Sequence, residues 1–130
     1  MKYLLDTNAV IGIIAGNPGL VSRFSEHAPK DFVISSVVMF ELYFGAYKSR
    51  QTTENLNRIA ALRFDVLDFS VADAKVAGQI RANLTAQGTP IGAYDVLVAG
   101  QAVARSLTLI TRNVKEFCRV TGLDYENWQT

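Results

Sequence analysis

Histidine and cysteine are nearly absent from this chain of 130 residues, which has one of each, His27 and Cys118. A single thiol cannot close an internal disulfide, and one histidine with one cysteine cannot build a Cys/His zinc site. The same scarcity removes Ser–His and Cys–His pairs as a basis for catalysis; His27 lies in a polar stretch where solvation is expected. Glycines are scattered, so there is no phosphate-cradling P-loop. Repeats, low-complexity tracts and long linkers are missing too, and one domain over residues 1–130 is expected. Lys2 and the apolar residues after it imitate a secretion signal. Asp6 and Asn8 interrupt that run, and Ala9 to Ala15 is too short to cross a bilayer. A soluble, cytoplasmic protein with no membrane partner is expected. A strong excess of one charge is also lacking: the net charge is +1, so composition alone does not announce a nucleic-acid binder.

What is present is a core-forming chain, 49% hydrophobic and 19% charged. Apolar runs at Lys2–Leu5, Phe32–Ile34, Arg63–Phe69 and Leu107–Ile110 read as strands. Three of them are nearly continuous, as in strands covered on both faces of a parallel sheet. Helical spacing follows at Ser36–Ser49, Thr53–Leu62 and Tyr94–Arg105. Another helix opens at Ser70-Val-Ala-Asp73, a capping box with Asp in the third place, and stops at Gly88 and Pro90. Alternating strands and helices predict an α/β sandwich with a mostly parallel sheet.

Most of the 12 acidic residues have ordinary explanations. Glu26, Asp31, Glu54, Asp124 and Glu126 sit in polar company, Asp73 belongs to a cap, and Asp65 and Asp68 flank an edge-like strand. Asp6, Glu41 and Asp95 are different. Asp6 ends the first strand. Glu41 has Val37, Val38, Phe44 and Gly45 at helical contact spacing, and Asp95 has Ile91, Gly92, Val98 and Ala99. None has a Lys or Arg there, and a buried carboxylate needs a partner or a cation. Taken singly, Asp95 is explained as a helix N-terminal acid and Asp6 as a turn residue. Glu41 has no local role. Together, at the carboxyl edge of an α/β sheet, they make a hard oxygen site suited to Mg²⁺ or Mn²⁺ rather than Zn²⁺.

Asn113-Val-Lys-Glu116 after the last strand fits a capping box, with Asn113 as N-cap; Asn113 or Glu116 also stands where it can supply a further metal ligand. Setting the four acids Asp6, Glu41, Asp95 and Glu116 aside leaves 13 basic against 8 acidic residues, a balance of +5. Arg81 and Arg112 are the preferred phosphate contacts, with Arg105, Lys115 and Arg119 as others. Phe40, Tyr43, Phe44 and Tyr47 form an i, i+3, i+4, i+7 stripe beside Ile11, Ile13 and Ile14 of the first helix. Core packing is the simpler explanation for most of them; a protein-binding surface is the other.

Four stretches in order, LLDTN, ISSVVMFELYFGA, IGAYDVLVAG and LITRNVKEF, resemble the PIN-domain ribonucleases, and among them the VapC-type toxins of bacterial toxin–antitoxin pairs. The likeness extends to the ending GLDYENW. It implies a three-layer α/β/α sandwich and an acidic Mg²⁺ site made by Asp6, Glu41 and Asp95. It also implies a homodimer, and an antitoxin of the VapB type whose C-terminal segment docks on Ile11, Ile14, Phe40, Tyr43, Phe44 and Tyr47 and sends an Arg into the acids. Structured RNA, tRNA above all, is the substrate expected. Many PIN domains carry Asp where this chain has Asn113, which leaves a second strongly bound metal open. Two other readings remain at this point. One is a receiver-like phosphoacceptor, against which the single early Asp6 and the Ser35–Ser36 strand end count. The other is a non-catalytic module with a structural ion.

Overall fold

The computed structural model describes all 130 residues. In chain order the elements are β1 (Tyr3–Leu5), α1 (Thr7–Ile14), α2 (Pro18–Ser25), a short 3₁₀ turn, β2 (Phe32–Ser35), α3 (Ser36–Lys48) and α4 (Thr52–Ala60). There follow β3 (Asp65–Leu67), α5 (Val71–Ala86), α6 (Ala93–Ala104), β4 (Thr108–Ile110), α7 (Val114–Phe117) and β5 (Tyr125–Glu126).

Five parallel strands form one sheet in the order β3-β2-β1-β4-β5. Leu4, Leu5, Val33, Ile34, Leu109 and Ile110 have essentially no solvent exposure, because helices cover the three inner strands on both faces. The α/β/α architecture read from the sequence is the one observed. The central strand is β1. β3 is shorter than Arg63–Phe69, since it is an edge strand with Asp65 and Val66 exposed. β5 and α2 went unread. The first has two residues, whereas the second carried a signal, Asn17 as N-cap with Pro18 in the first turn.

Going outward from β1, the chain moves to β2 and β3 on one side and reaches β4 and β5 on the other. The strand order therefore reverses between β1 and β4, and open α/β sheets form their clefts outside the carboxyl ends of such a pair.

Two helices fix the far side of that cleft. α5 and α6 pack backbone to backbone: a Cβ on Gly100 would lie 2.6 Å from the Ala77 Cα. The Ser70–Asp73 capping box forms as read. Asp73 does more, being fully buried and accepting from Gln101 Nε2 (3.2 Å) and Arg105 Nε (3.0 Å). Arg105, proposed above as a phosphate contact, is thus committed to an ion pair within the fold. His27 is corrected as well. It is half-buried, stacked on Trp128 at 5.5 Å and edge-on to Tyr3, since the C-terminal stretch folds back over the start of β1.

Candidate active site

Asp6 leaves β1 and becomes the N-cap of α1, its Oδ1 accepting the Ala9 amide at 2.7 Å. Its burial follows from its place: Leu5 must enter the core, and the next residue lies at the sheet's rim. Glu41 projects from mid-α3 and accepts from the Thr7 hydroxyl at 3.0 Å. Asp95 lies in the first turn of α6. Three separate elements thus deliver carboxylates to one cleft of about 240 Å³, lined by Asp6, Thr7, Asn8, Glu41, Asp95, Val98 and Asn113. Glu116, on α7, faces Asp95 from beside it. The carboxylates do not close on a common point: no three acidic side chains meet metal-ligand spacing. Each is held back by its own hydrogen bond, and their charges repel.

A model of the PIN domain family matches residues 3–123. The chain belongs to the PIN-domain family. It is 44% identical to the tRNA(fMet)-specific endonuclease VapC of Shigella flexneri over 131 aligned positions, covering 98% of each chain. Ribonuclease VapC2 of Haemophilus influenzae is 40% identical with the same coverage. The fold superposes on DNA-bound VapBC from Salmonella typhimurium with a TM-score of 0.93, at 38% identity and 98% of both chains. VapBC2 of Rickettsia felis, bound to a promoter DNA fragment, gives 0.92 at 33% identity, covering 99% and 100%. The receiver-like reading falls with these matches.

PIN-domain nucleases generally use divalent metal ions, and the cleft of this PIN domain fits one. Its donors are carboxylate, hydroxyl and carboxamide oxygens, the set that hard cations take. Its electrostatics ask for positive charge. Burial raises the Asp6 carboxyl, and Glu41 adds to this; the Thr111 hydroxyl, the Ala9 amide and Arg112 pull the other way. Burial, together with Glu116 in hydrogen-bonding reach and the charges of Glu41 and Asp6, pushes Asp95 up to about 7.

A pH dependence follows. Unfolded, Asp95 ionises near its ordinary 3.8; folded, it keeps its proton to about 7. The fold binds more protons between those limits, so this carboxyl's stabilising contribution is complete below the lower value and is lost as pH rises through 7. In EDTA the melting temperature is expected to carry a component that falls between pH 5 and pH 8. Added divalent cation should raise it more at pH 8 than at pH 5, where protons compete. Equal cation-induced shifts at both pH values would contradict this account.

The other assigned residues divide. Asn113 lines the cleft, but its predicted cap does not form. Its amide Nδ2 donates to Glu116 at 2.8 Å, drawn by the carboxylate, and Thr111 Oγ1 accepts from its backbone amide instead. Arg112 is exposed beside the cleft, whereas Arg81 is exposed on α5 and does not line it. Arg119 donates to the Pro90 carbonyl at 3.0 Å, steadying the loop ahead of Asp95. Core packing fails as the account of Phe40, Tyr43, Phe44 and Tyr47, which are all 40% exposed or more. Ile11 and Ile14 line an apolar groove of about 510 Å³ between α1, α3 and α4; the four aromatics stand outside it, with Phe40 against Tyr94 at 5.4 Å. Thr7 and Asn8 were missed as cleft residues.

Proposed function

We propose that this protein is a metal-dependent endoribonuclease, the toxin of a toxin–antitoxin pair, acting in the cytoplasm on structured RNA, with tRNA the first class to test. The observation that carries this is one cleft lined by Asp6, Glu41 and Asp95, with Glu116 facing Asp95, at the switch point of a PIN-domain sheet. The names of its relatives, a tRNA(fMet)-specific endonuclease among them, agree.

Asp6, Glu41 and Asp95 would hold the cation, Mg²⁺ or Mn²⁺, with Asn113 and Glu116 at the rim. Such an ion, when bound, lowers the pKa of a water and offsets charge developing on a phosphodiester. The chain's own residues do the rest. Thr7 orients Glu41 through its hydroxyl, and the Ala9 amide and Thr111 hydroxyl hold the Asp6 carboxylate. Glu116, held by the Asn113 amide, faces Asp95. Arg112 provides positive charge beside Asp6 for the RNA backbone.

Inhibition by a VapB-type antitoxin follows from the apolar groove. Glu41 lines both that groove and the acid cleft, so a segment lying on Ile11, Ile14 and Leu42 ends at the carboxylates. The exposed aromatics of α3 are left for a second contact, such as the homodimer. The test is to incubate antitoxin-free protein with total RNA in Mg²⁺, Mn²⁺ or EDTA. Discrete fragments that need the metal are expected; intact RNA in every lane would overturn the reading.

A further inference from the structure

Adjoining the apolar groove along α1, with Ile11 and Ala15 in both walls, lies another cavity, of about 400 Å³, lined also by Asn8, Asn17, Arg112 and Gln129. It shares Asn8 with the acid cleft. No acidic side chain lines it, although the cleft next door is acidic. Arg112 is exposed, engages in no salt bridge and makes no side-chain hydrogen bond, yet its charge reaches Asp6. A free cation therefore stands at the junction of the two cavities.

The cavity is built by the fold. Its wall is the C-terminal stretch, pinned where Asn17 Nδ2 donates to the Thr130 carbonyl (3.1 Å) and Asn17 Oδ1 accepts the Thr130 amide (3.2 Å). Gln129 is thereby laid against α1. A Cβ at Gly12 would meet the Leu20 side chain and press on the Gln129 Nε2 at 3.1 Å, so a larger residue there displaces those side chains. The Gln129 Oε1 is buried with no hydrogen-bond partner. The α2 N-terminus is not the attraction: the amides of Gly19, Leu20 and Val21 are already taken by Thr130 and Asn17. Anion binding here falls to Arg112 alone; the other polar side chains are the carboxamides of Asn8, Asn17 and Gln129, beside the apolar Ile11, Ala15 and Pro18.

We propose that this cavity is the subsite for the nucleotide flanking the scissile phosphodiester, with Arg112 on its phosphate and Asn8 and Gln129 on its base or ribose edge. Arg with Asn or Gln is the pairing that recognises phosphate and base edges together. A cationic peptide would find no counter-charge in it. The inference rests on the nuclease reading and narrows it to a specificity site.

The test uses fluorescent tRNA(fMet) binding to the full-length Asp6→Asn protein, alone and with Arg112→Ala, Gln129→Ala or Gln129→Glu, across a salt series; cleavage by the single variants is followed in parallel. Arg112→Ala should weaken binding about tenfold and lower the salt slope by about one. Gln129→Ala should weaken it about 5- to 50-fold with the slope unchanged, and alter which bond is cut. Gln129→Glu keeps the side-chain volume and places a negative charge in the cavity, so it should weaken binding further. If the wild type cleaves RNA and these variants bind and cleave as their parents do, the subsite is wrong and the nuclease stands. If they lose affinity only for a C-terminal peptide of the antitoxin, the cavity belongs to the protein partner and the subsite is again wrong. If the wild type cleaves no RNA, the nuclease reading fails and takes this inference with it.

Discussion

Asp6→Asn is expected to lower RNA cleavage by roughly 100- to 10,000-fold, the range associated with losing a charged group of the reacting centre, while the fold survives. Asparagine is as good an N-cap as aspartate, so the Ala9 amide keeps its acceptor. Burial already disfavours the ionised carboxyl at this position, so the neutral isostere should melt in EDTA at or above the wild-type temperature. The two readouts must separate: cleavage falls and stability does not. A variant that cuts RNA at close to the wild-type rate would remove Asp6 from the centre. A variant that loses activity because it unfolds would say nothing for the proposed role, and the melting curve identifies that case.

Asp73→Ala should have the largest effect on stability, about 2–4 kcal/mol by urea denaturation. Losing the capping box costs about 1 kcal/mol, and leaving the buried Gln101 amide without this acceptor costs about 1–3 kcal/mol. Arg105 is assigned no share, because its side chain is 34% exposed and turns to water when released. Asp73→Asn should recover the capping part, since its side-chain oxygen can still accept at the cap. Burial alone would raise the Asp73 carboxyl; the Arg105 and Ser70 donors outweigh it and hold the group below its ordinary range. Its stabilising contribution is therefore present at neutral pH and lost as pH falls through the acid range. A loss under 1 kcal/mol for Asp73→Ala would show that Gln101 finds another acceptor.

Residues whose reason is local were legible in the sequence, and residues whose reason is distant were not. Leu4–Leu5, Val33–Ile34 and Leu109–Ile110 announce buried parallel strands because both faces are covered. The Ser70–Asp73 box is a four-residue motif and forms as read. Asp6, Glu41 and Asp95 stood out as carboxylates with no neighbour to explain them, and they line one cleft. His27 could not be placed, because its stacking partner, Trp128, comes from the other end of the chain. Arg105 looked free because Asp73 lies on another helix. Asn113 had the right spacing for a cap, but spacing does not reveal that Glu116 would draw the amide nitrogen. The aromatic stripe of α3 had helical periodicity, and periodicity defines a face without saying whether the chain's own core covers it.

Parallel pairing has a consequence during synthesis. β1 carries Asp6 but pairs on one side with β4, so Tyr3 waits for Thr108. Asp95 and Glu116 are also late in the chain. A nascent chain emerging from the ribosome holds Asp6 and Glu41 long before it holds the strand and turn that complete the cleft. The acid cleft is therefore incomplete until β4 and α7 have been made, and products truncated before them lack it. A nuclease built on this cleft is inert until those elements have joined the first strand.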